Sequence, residues 1–302
     1  MPRARANGLD IAYESFGREG DPVILLIMGF AAYLTFWPET LCVGLAARGF
    51  RVIRFDNRDV GKSTHLFEKG VPGLSEIMTK ALAGEPVAAP YALDDMAADA
   101  VALMEAIGAR RAHIVGASMG GMIAQLVAAH YPEKTTSLVS IMSTTGRRDL
   151  PPAEPEAMAA LMTPPASTER EDRVQGAMRI WRAFGGRGFR PTDAALRAIA
   201  EREVDYLPYE PTGMIRQMAA IAAAPPRNDI LKKVRAPTLV IHGAEDPLVP
   251  LACGEDTARS IAGAELVVVP GLGHDMNDNI APVYERLIGE FVARIEAGAR
   301  GA

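Results

Sequence analysis

The pentapeptide Gly116-Ala117-Ser118-Met119-Gly120 constrains this chain more than any other stretch. Residues 112–116 form a short apolar run of the kind that makes a buried strand, and residues 119–130 carry almost no polar side chain and read as a helix. Ser118 falls at the junction. A serine on so sharp a strand-to-helix turn has its hydroxyl pushed into the open, and glycines are needed on either side because a side chain there would strike the neighbouring strand or helix. The turn also aims the first N–H groups of the helix at the hydroxyl, where they and the helix dipole favour developing negative charge. Acyl transfer needs this arrangement, so the remaining chain is expected to supply a base, an acid and a second oxyanion donor.

The order of elements around the elbow supports that reading. Residues 9–14 read as a strand, 23–28 as a continuous apolar run suited to the centre of a covered parallel sheet, and 51–56 and 138–142 as further strands. Helical patterns fall between them at 38–48 and at 93–107, where Leu93, Met96, Ala100, Leu103 and Ile107 make one stripe. Such alternation predicts an α/β fold with a mostly parallel, doubly wound sheet. The pattern breaks at Gly146. From 147 to 234 ten prolines punctuate short helical stretches and no strand pattern appears, which predicts a helical cap inserted in the core. The expected division is a core of residues 1–146 and 235–302 and a cap of 147–234. Within the cap, Trp181, Phe184, Tyr206, Tyr209, Met214 and Met218 are the candidates for a substrate pocket, although apolar pocket walls and apolar cores share a composition. The core pattern resumes with a strand at 238–243, a helix around 253–261, a strand at 266–269 and a closing helix at 282–296.

Open parallel sheets gather their ligands at the carboxyl ends of strands, so polar residues just after strands are those that can meet Ser118. Gly243-Ala244-Glu245-Asp246-Pro247 follows one late strand and Gly271-Leu272-Gly273-His274-Asp275 the other. A serine hydroxyl is a poor nucleophile until an imidazole takes its proton, and that imidazole is held in the right tautomer by a carboxylate. His274 alone of the five histidines sits in a glycine-flanked loop after a late strand; His65, His113, His130 and His242 read as structural. Asp246 is the expected acid because Pro247 fixes the turn behind it, with Glu245, Asp275 and Asp149 as the alternatives. The oxyanion donors are expected to be the backbone amides of Phe30, after the 23–28 strand, and Met119.

The remaining observations mostly exclude. A formal charge of −5 on 302 residues offers no electrostatic reason to expect nucleic acid or an anionic membrane as a partner. No apolar run is long enough to span a bilayer and no signal-peptide core precedes residue 9, so a cytoplasmic location is expected. Cys42 and Cys253 are far apart, form no metal-ligand spacing and are expected to be buried small hydrophobes. Gly61-Lys62-Ser63 resembles the end of a phosphate-binding loop but has Asp56 where that loop needs its first glycine, and no Gly-x-Gly-x-x-Gly joins a strand to a helix. Neither a cofactor nor a metal is implied.

With the elbow, the two late loops and the cap in view, the chain resembles the α/β-hydrolase superfamily from about residue 9 to residue 295. The order Ser118, Asp246, His274 is that of the superfamily, and residues 56–63 are similar to its Asp-x-Arg-x-x-Gly-x-Ser loop, which is structural there. Met28-Gly29-Phe30 with Trp37 and the Ser-Met-Gly-Gly elbow look most like the aclacinomycin methylesterase-like carboxylesterases; many esterases have His-Gly where this chain has Met28-Gly29. The resemblance implies a serine hydrolase of carboxylic esters, with methyl esters of polyketide-type acids as its narrower form. The expected partner is then a small-molecule ester, and the expected state a monomer or homodimer. Two alternatives stand beside it: a carbon–carbon bond hydrolase of the meta-cleavage-product type using the same triad, and a non-catalytic ligand-binding relative.

Overall fold

A computed structural model describes residues 1–300. Eight strands, β1 (Arg3–Ala6), β2 (Leu9–Phe16), β3 (Val23–Ile27), β4 (Arg51–Phe55), β5 (Ala112–Ala117), β6 (Thr135–Ile141), β7 (Thr238–Gly243) and β8 (Glu265–Val269), form one sheet in the order β1-β2-β4-β3-β5-β6-β7-β8. The pairs from β4 through β8 are parallel, and β1 and β2 run antiparallel at one edge. Because β4 and β5 lie on opposite sides of β3, the chain changes direction there and leaves a crevice beyond the carboxyl ends of β3 and β5.

The continuous apolar runs are explained by burial on both faces. Alternate side chains of β3 point to opposite sides of the sheet. Ile24 and Leu26 pack with Leu41 and Leu45 of helix α1 (Glu39–Ala47) and with residues of the closing helix such as Tyr284 and Ile288. Leu25 and Ile27 join the other layer, with Met96 and Leu103 preceding the elbow strand and Ile123 following it. Helix α2 spans Leu74–Ala83, α3 Leu93–Ala106 and α4 Met119–His130.

Two elements were not expected. Strand β1 pairs with β2 through a two-residue turn, Asn7-Gly8, whose φ values of 48° and 78° are those of a type I′ hairpin. The Asn-Gly dipeptide carried that information. Helix α2, framed by Gly73 and Gly84, buries only Ile77.

Between β6 and β7 lie α5 (Pro155–Met162), α6 (Arg170–Phe184), α7 (Asp193–Tyr206), α8 (Thr212–Ala223) and α9 (Asn228–Leu231), with no strand among the described residues. Three of these helices run 15, 14 and 12 residues, each fitted between prolines and longer than the short stretches expected. The prolines sit at the joints: Pro155 opens α5, Pro191 precedes α7, and Pro225 and Pro226 follow α8. Arg216 of α8 donates from Nε and Nη2 to Asp59 at 2.9 and 2.7 Å, tying the inserted helices to the loop after β4. The chain closes with α10 (Leu251–Ser260) and α11 (Ala281–Arg300). Cys42 and Cys253 are buried and unpaired, and burial pushes the Cys42 thiol up to about 12. Among the described residues no helix is long and apolar enough to cross a membrane.

Candidate active site

Ser118 occupies the turn between β5 and α4 with φ 56° and ψ −122°, a conformation that costs a non-glycine residue about 1–3 kcal/mol and persists only where its surroundings dictate it. Here they do. Its N–H donates to the Ile141 carbonyl at 2.9 Å, and its own carbonyl accepts from the Gly121 amide at 2.9 Å and the Ser143 hydroxyl at 2.8 Å. The flanking glycines have no alternative: a Cβ on Gly116 would lie 2.1 Å from the Gly120 oxygen, and one on Gly120 2.0 Å from the Ile27 oxygen. Helix and strand therefore approach more closely than any side chain allows, and the serine is left half-buried at the rim of the crevice.

The loop after β3 lies against it. A Cβ on Gly29 would be 3.0 Å from the Ser118 Cβ, so this loop and the elbow are in contact. Ala31 holds a φ of 56° and donates its N–H to Gln217 Oε1 at 2.9 Å; Asn57 Nδ2 donates to the Met28 carbonyl at 2.9 Å. Gln217 in turn donates to the Arg58 carbonyl at 2.9 Å. Within this clamped loop the Phe30 amide donates to no protein acceptor among the described residues, and neither does that of Met119, the first residue of α4.

His274 and Asp246 meet at the other end of the sheet's carboxyl edge. His274 Nδ1 lies 2.8 Å from Asp246 Oδ2, and both residues are buried. The second oxygen of Asp246 accepts the Leu248 and Val249 amides at 2.9 and 2.8 Å, so the Asp-Pro turn itself fixes the carboxylate. The His274 N–H donates to the Phe184 carbonyl at 2.8 Å, and the Phe184 ring meets the imidazole edge-on at 5.6 Å. With Nδ1 engaged, Nε2 is the nitrogen free to exchange a proton. The other three acids face elsewhere: Glu245 pairs with Arg187, Asp149 with Arg147, and Asp275 accepts the Gly186 and Gly273 amides while burial holds its carboxyl above the usual range. The four remaining histidines are set apart from Ser118. His113 bonds Ser137, His65 the Gly61 carbonyl and His242 the Val249 carbonyl, and His130 is exposed.

Ser118, His274, Phe30 and Met119 line one cavity of about 500 Å³. No hydrogen bond joins the serine and histidine side chains among the described residues. Ten of the chain's 14 methionines form part of the wall, making it soft and polarizable. Of the six candidates for the pocket, Trp181, Phe184, Met214 and Met218 line it. Tyr206 and Tyr209 do not. Tyr206 turns its hydroxyl to Asp56 Oδ2 at 2.9 Å, and Tyr209 lines an adjoining cavity of about 390 Å³. Tyr206 is the last residue of α7, which ends beside the loop after β4, where the Lys62 ammonium also lies over its ring.

Against this geometry, the sequence model for the alpha/beta hydrolase fold matches residues 22–279, a stretch that includes the elbow and both late loops. The chain belongs to that family. Among relatives of this α/β-hydrolase, rhodomycin D methylesterase of Streptomyces peucetius is 29% identical over 282 residues, covering 86% of this chain and 87% of the other. A 2-hydroxy-6-oxononadienedioate/2-hydroxy-6-oxononatrienedioate hydrolase of Burkholderia vietnamiensis is 25% identical, covering 95% and 92%. The crystal structure of a meta-cleavage product hydrolase from Pseudomonas fluorescens superposes with a TM-score of 0.74 at 21% identity, covering 97% and 98%, which establishes the shared fold.

Three residues of this hydrolase's site escaped sequence reasoning. Asn57 and Gln217 hold the loop after β3, but nothing local marks a glutamine of the inserted helices as a partner of that loop. Glu203 of α7 lines the cavity, shares the Trp181 indole N–H at 3.0 and 3.3 Å between its two oxygens, and is pushed up to about 8 by burial. In sequence it is one acid among several in residues 201–205. The residue 56–63 loop is a hydrogen-bonded hub: Asp56 accepts the Leu34 and Lys62 amides, each at 2.7 Å, and Ser63 donates to the Asp56 carbonyl at 2.6 Å.

Proposed function

We propose that this protein hydrolyses carboxylic esters through an acyl-enzyme, with methyl esters among its substrates. The observation that carries the reading is an elbow serine sharing a cavity with a histidine whose Nδ1 is held 2.8 Å from a buried carboxylate. Ser118 Oγ attacks the ester carbon as its proton passes to His274 Nε2, and Asp246 stabilises the imidazolium that forms. The carbonyl oxygen, now negative, is held by the Phe30 and Met119 amides. The C–O bond to the alcohol breaks as His274 returns the proton to the leaving oxygen. Water, deprotonated by the same imidazole, then attacks the acyl-serine and releases the acid. In this reading residues 1–146 and 235–302 are the catalytic core, and 147–234 form a cap that shapes the apolar cavity.

The experiment is hydrolysis of p-nitrophenyl and methyl esters by wild type and Ser118→Ala. A loss of kcat on the order of 10⁴-fold or more is expected. Activity persisting in Ser118→Ala would remove that serine from the mechanism. Covalent labelling of Ser118 by a fluorophosphonate separates a live nucleophile from a vestigial one, as in a ligand-binding relative.

Carbon–carbon bond hydrolysis with the same triad is the competing reading. A dienedioate substrate is by its structure a dianion, and removing a carboxylate from water requires a cationic partner. No lysine or arginine is among the described residues lining the Ser118 cavity itself, while Arg173 and Arg179 line the adjoining one, so a substrate held wholly beside Ser118 is better uncharged. Turnover of a dienoate acid faster than any ester would reverse that choice.

A further inference from the structure

In the cavity that holds Ser118, the lining side chains able to make strong hydrogen bonds are few. Ser118 and His274 are committed to chemistry; among the described residues Glu203 is the remaining ionisable one and the only carboxyl of the cavity wall. It also lines the adjoining cavity of about 390 Å³, together with Phe30, Phe36, Met214 and Met218, and so stands where the two spaces meet. Among the described residues its two oxygens share a single donor, the Trp181 indole N–H. A carboxyl group has room for about four such bonds. Holding Trp181 alone would need only one neutral acceptor, and a methionine-lined wall is a costly place for an extra acid. A second partner entering with the ligand accounts for both the residue type and its position.

We propose that Glu203 recognises a hydroxyl group on the substrate, making the preferred substrates hydroxylated esters of otherwise apolar acids. The carboxyl donates one hydrogen bond to the hydroxyl oxygen and accepts another from its O–H, while Trp181 keeps the carboxyl turned toward the cavity. An amide at this position preserves a donor, an acceptor and the Trp181 contact; a methionine preserves only the volume.

The proposal rests on the ester-hydrolase reading for its kinetic readout and carries a binding readout that does not. Methyl ω-hydroxyalkanoates of six to sixteen carbons are compared with the methyl alkanoates of the same length. At the length that reaches Glu203, wild type is expected to favour the hydroxylated ester by about tenfold in kcat/KM, the factor one added hydrogen bond supplies. In Glu203→Met that ratio falls to about one, whereas Glu203→Gln keeps most of it. A merely structural Glu203 would change both esters of a pair together and leave the ratio unmoved. In parallel, calorimetry on Ser118→Ala with the matching ω-hydroxy methyl ketones, which cannot be hydrolysed, is expected to show the same tenfold preference over unsubstituted ketones. If no ester is turned over but the ketones keep that preference, the ester reading fails and the recognition stands. No preference at any length in wild type and in Ser118→Ala overturns the recognition, and so does a preference that survives Glu203→Met. Should Glu203→Met not fold, the wild-type and Ser118→Ala ratios decide alone.

Discussion

Glu203 also sets a pH dependence that can be read without substrate. Burial raises its carboxyl from 4.5 to about 8, opposed in part by the Trp181 hydrogen bond and the nearby Arg202 charge. Between those values the unfolded chain releases a proton that the folded chain keeps, so the group's contribution to stability is whole below about pH 4.5 and is lost as pH rises toward about 8. Glutamine in its place cannot ionise and escapes that loss. The melting temperature of Glu203→Gln relative to wild type is therefore expected to climb by several degrees between pH 5 and pH 8. A difference that stays flat over this range, followed by calorimetry, would mean that the carboxyl reaches water.

At the scale of elements, the decisive feature is a loop held in an unusual shape from two sides. The segment after β3 carries Ala31 at a φ of 56°, and its partners come from the loop after β4 (Asn57) and from helix α8 (Gln217). If the Phe30 amide serves as an oxyanion donor, its aim depends on these two amides, because a backbone N–H can only be moved by moving its loop. Gln217→Leu leaves the Ala31 N–H and the Arg58 carbonyl unpaired, a loss of about 1–3 kcal/mol in stability. It is expected to lower kcat by roughly 10- to 100-fold, a partial loss of one oxyanion donor, with KM changed far less. Steady-state kinetics on a p-nitrophenyl ester check this; an unaltered kcat would show that the loop keeps its aim without α8.

At the scale of the molecule, the inserted helices and the sheet are joined by a buried charge pair. Arg216 of α8 and Asp59 after β4 are each fully buried and paired through two hydrogen bonds, with Arg216 also reaching the Gly70 carbonyl at 3.2 Å. Replacing a buried pair by apolar groups can be neutral, but removing one partner strands the other charge. Arg216→Met is accordingly expected to cost about 3–5 kcal/mol, and Arg216→Met with Asp59→Asn, which removes the stranded charge, keeps an acceptor for the Leu66 amide and tolerates the φ of 68°, to recover part of it. Chemical denaturation of wild type and the two variants measures the recovery. If the double variant is no more stable than Arg216→Met, the pair is not what fastens α8 to the core.

What could be read from the chain was whatever neighbours in sequence decide among themselves. The elbow is legible from adjacent residues, because Gly116 and Gly120 mark the close contacts, one with the turn's own Gly120 carbonyl and one with Ile27 of β3, and the two-faced burial of β3 is written in five consecutive apolar side chains. The Asn7-Gly8 turn was equally local, although β1 was not anticipated from it. Direction was harder to read. Glu245, Asp246 and Asp275 all follow late strands, and Asp246 alone reaches His274 because its other oxygen is captured by the amides of Leu248 and Val249. Residues 203 and 206 lie three apart on α7, yet one faces the methionine-lined cavity and the other crosses to Asp56, a difference set by how α7 rests between α6 and the loop after β4. Spacing along a helix states which residues share a face; only packing against distant elements states what that face meets.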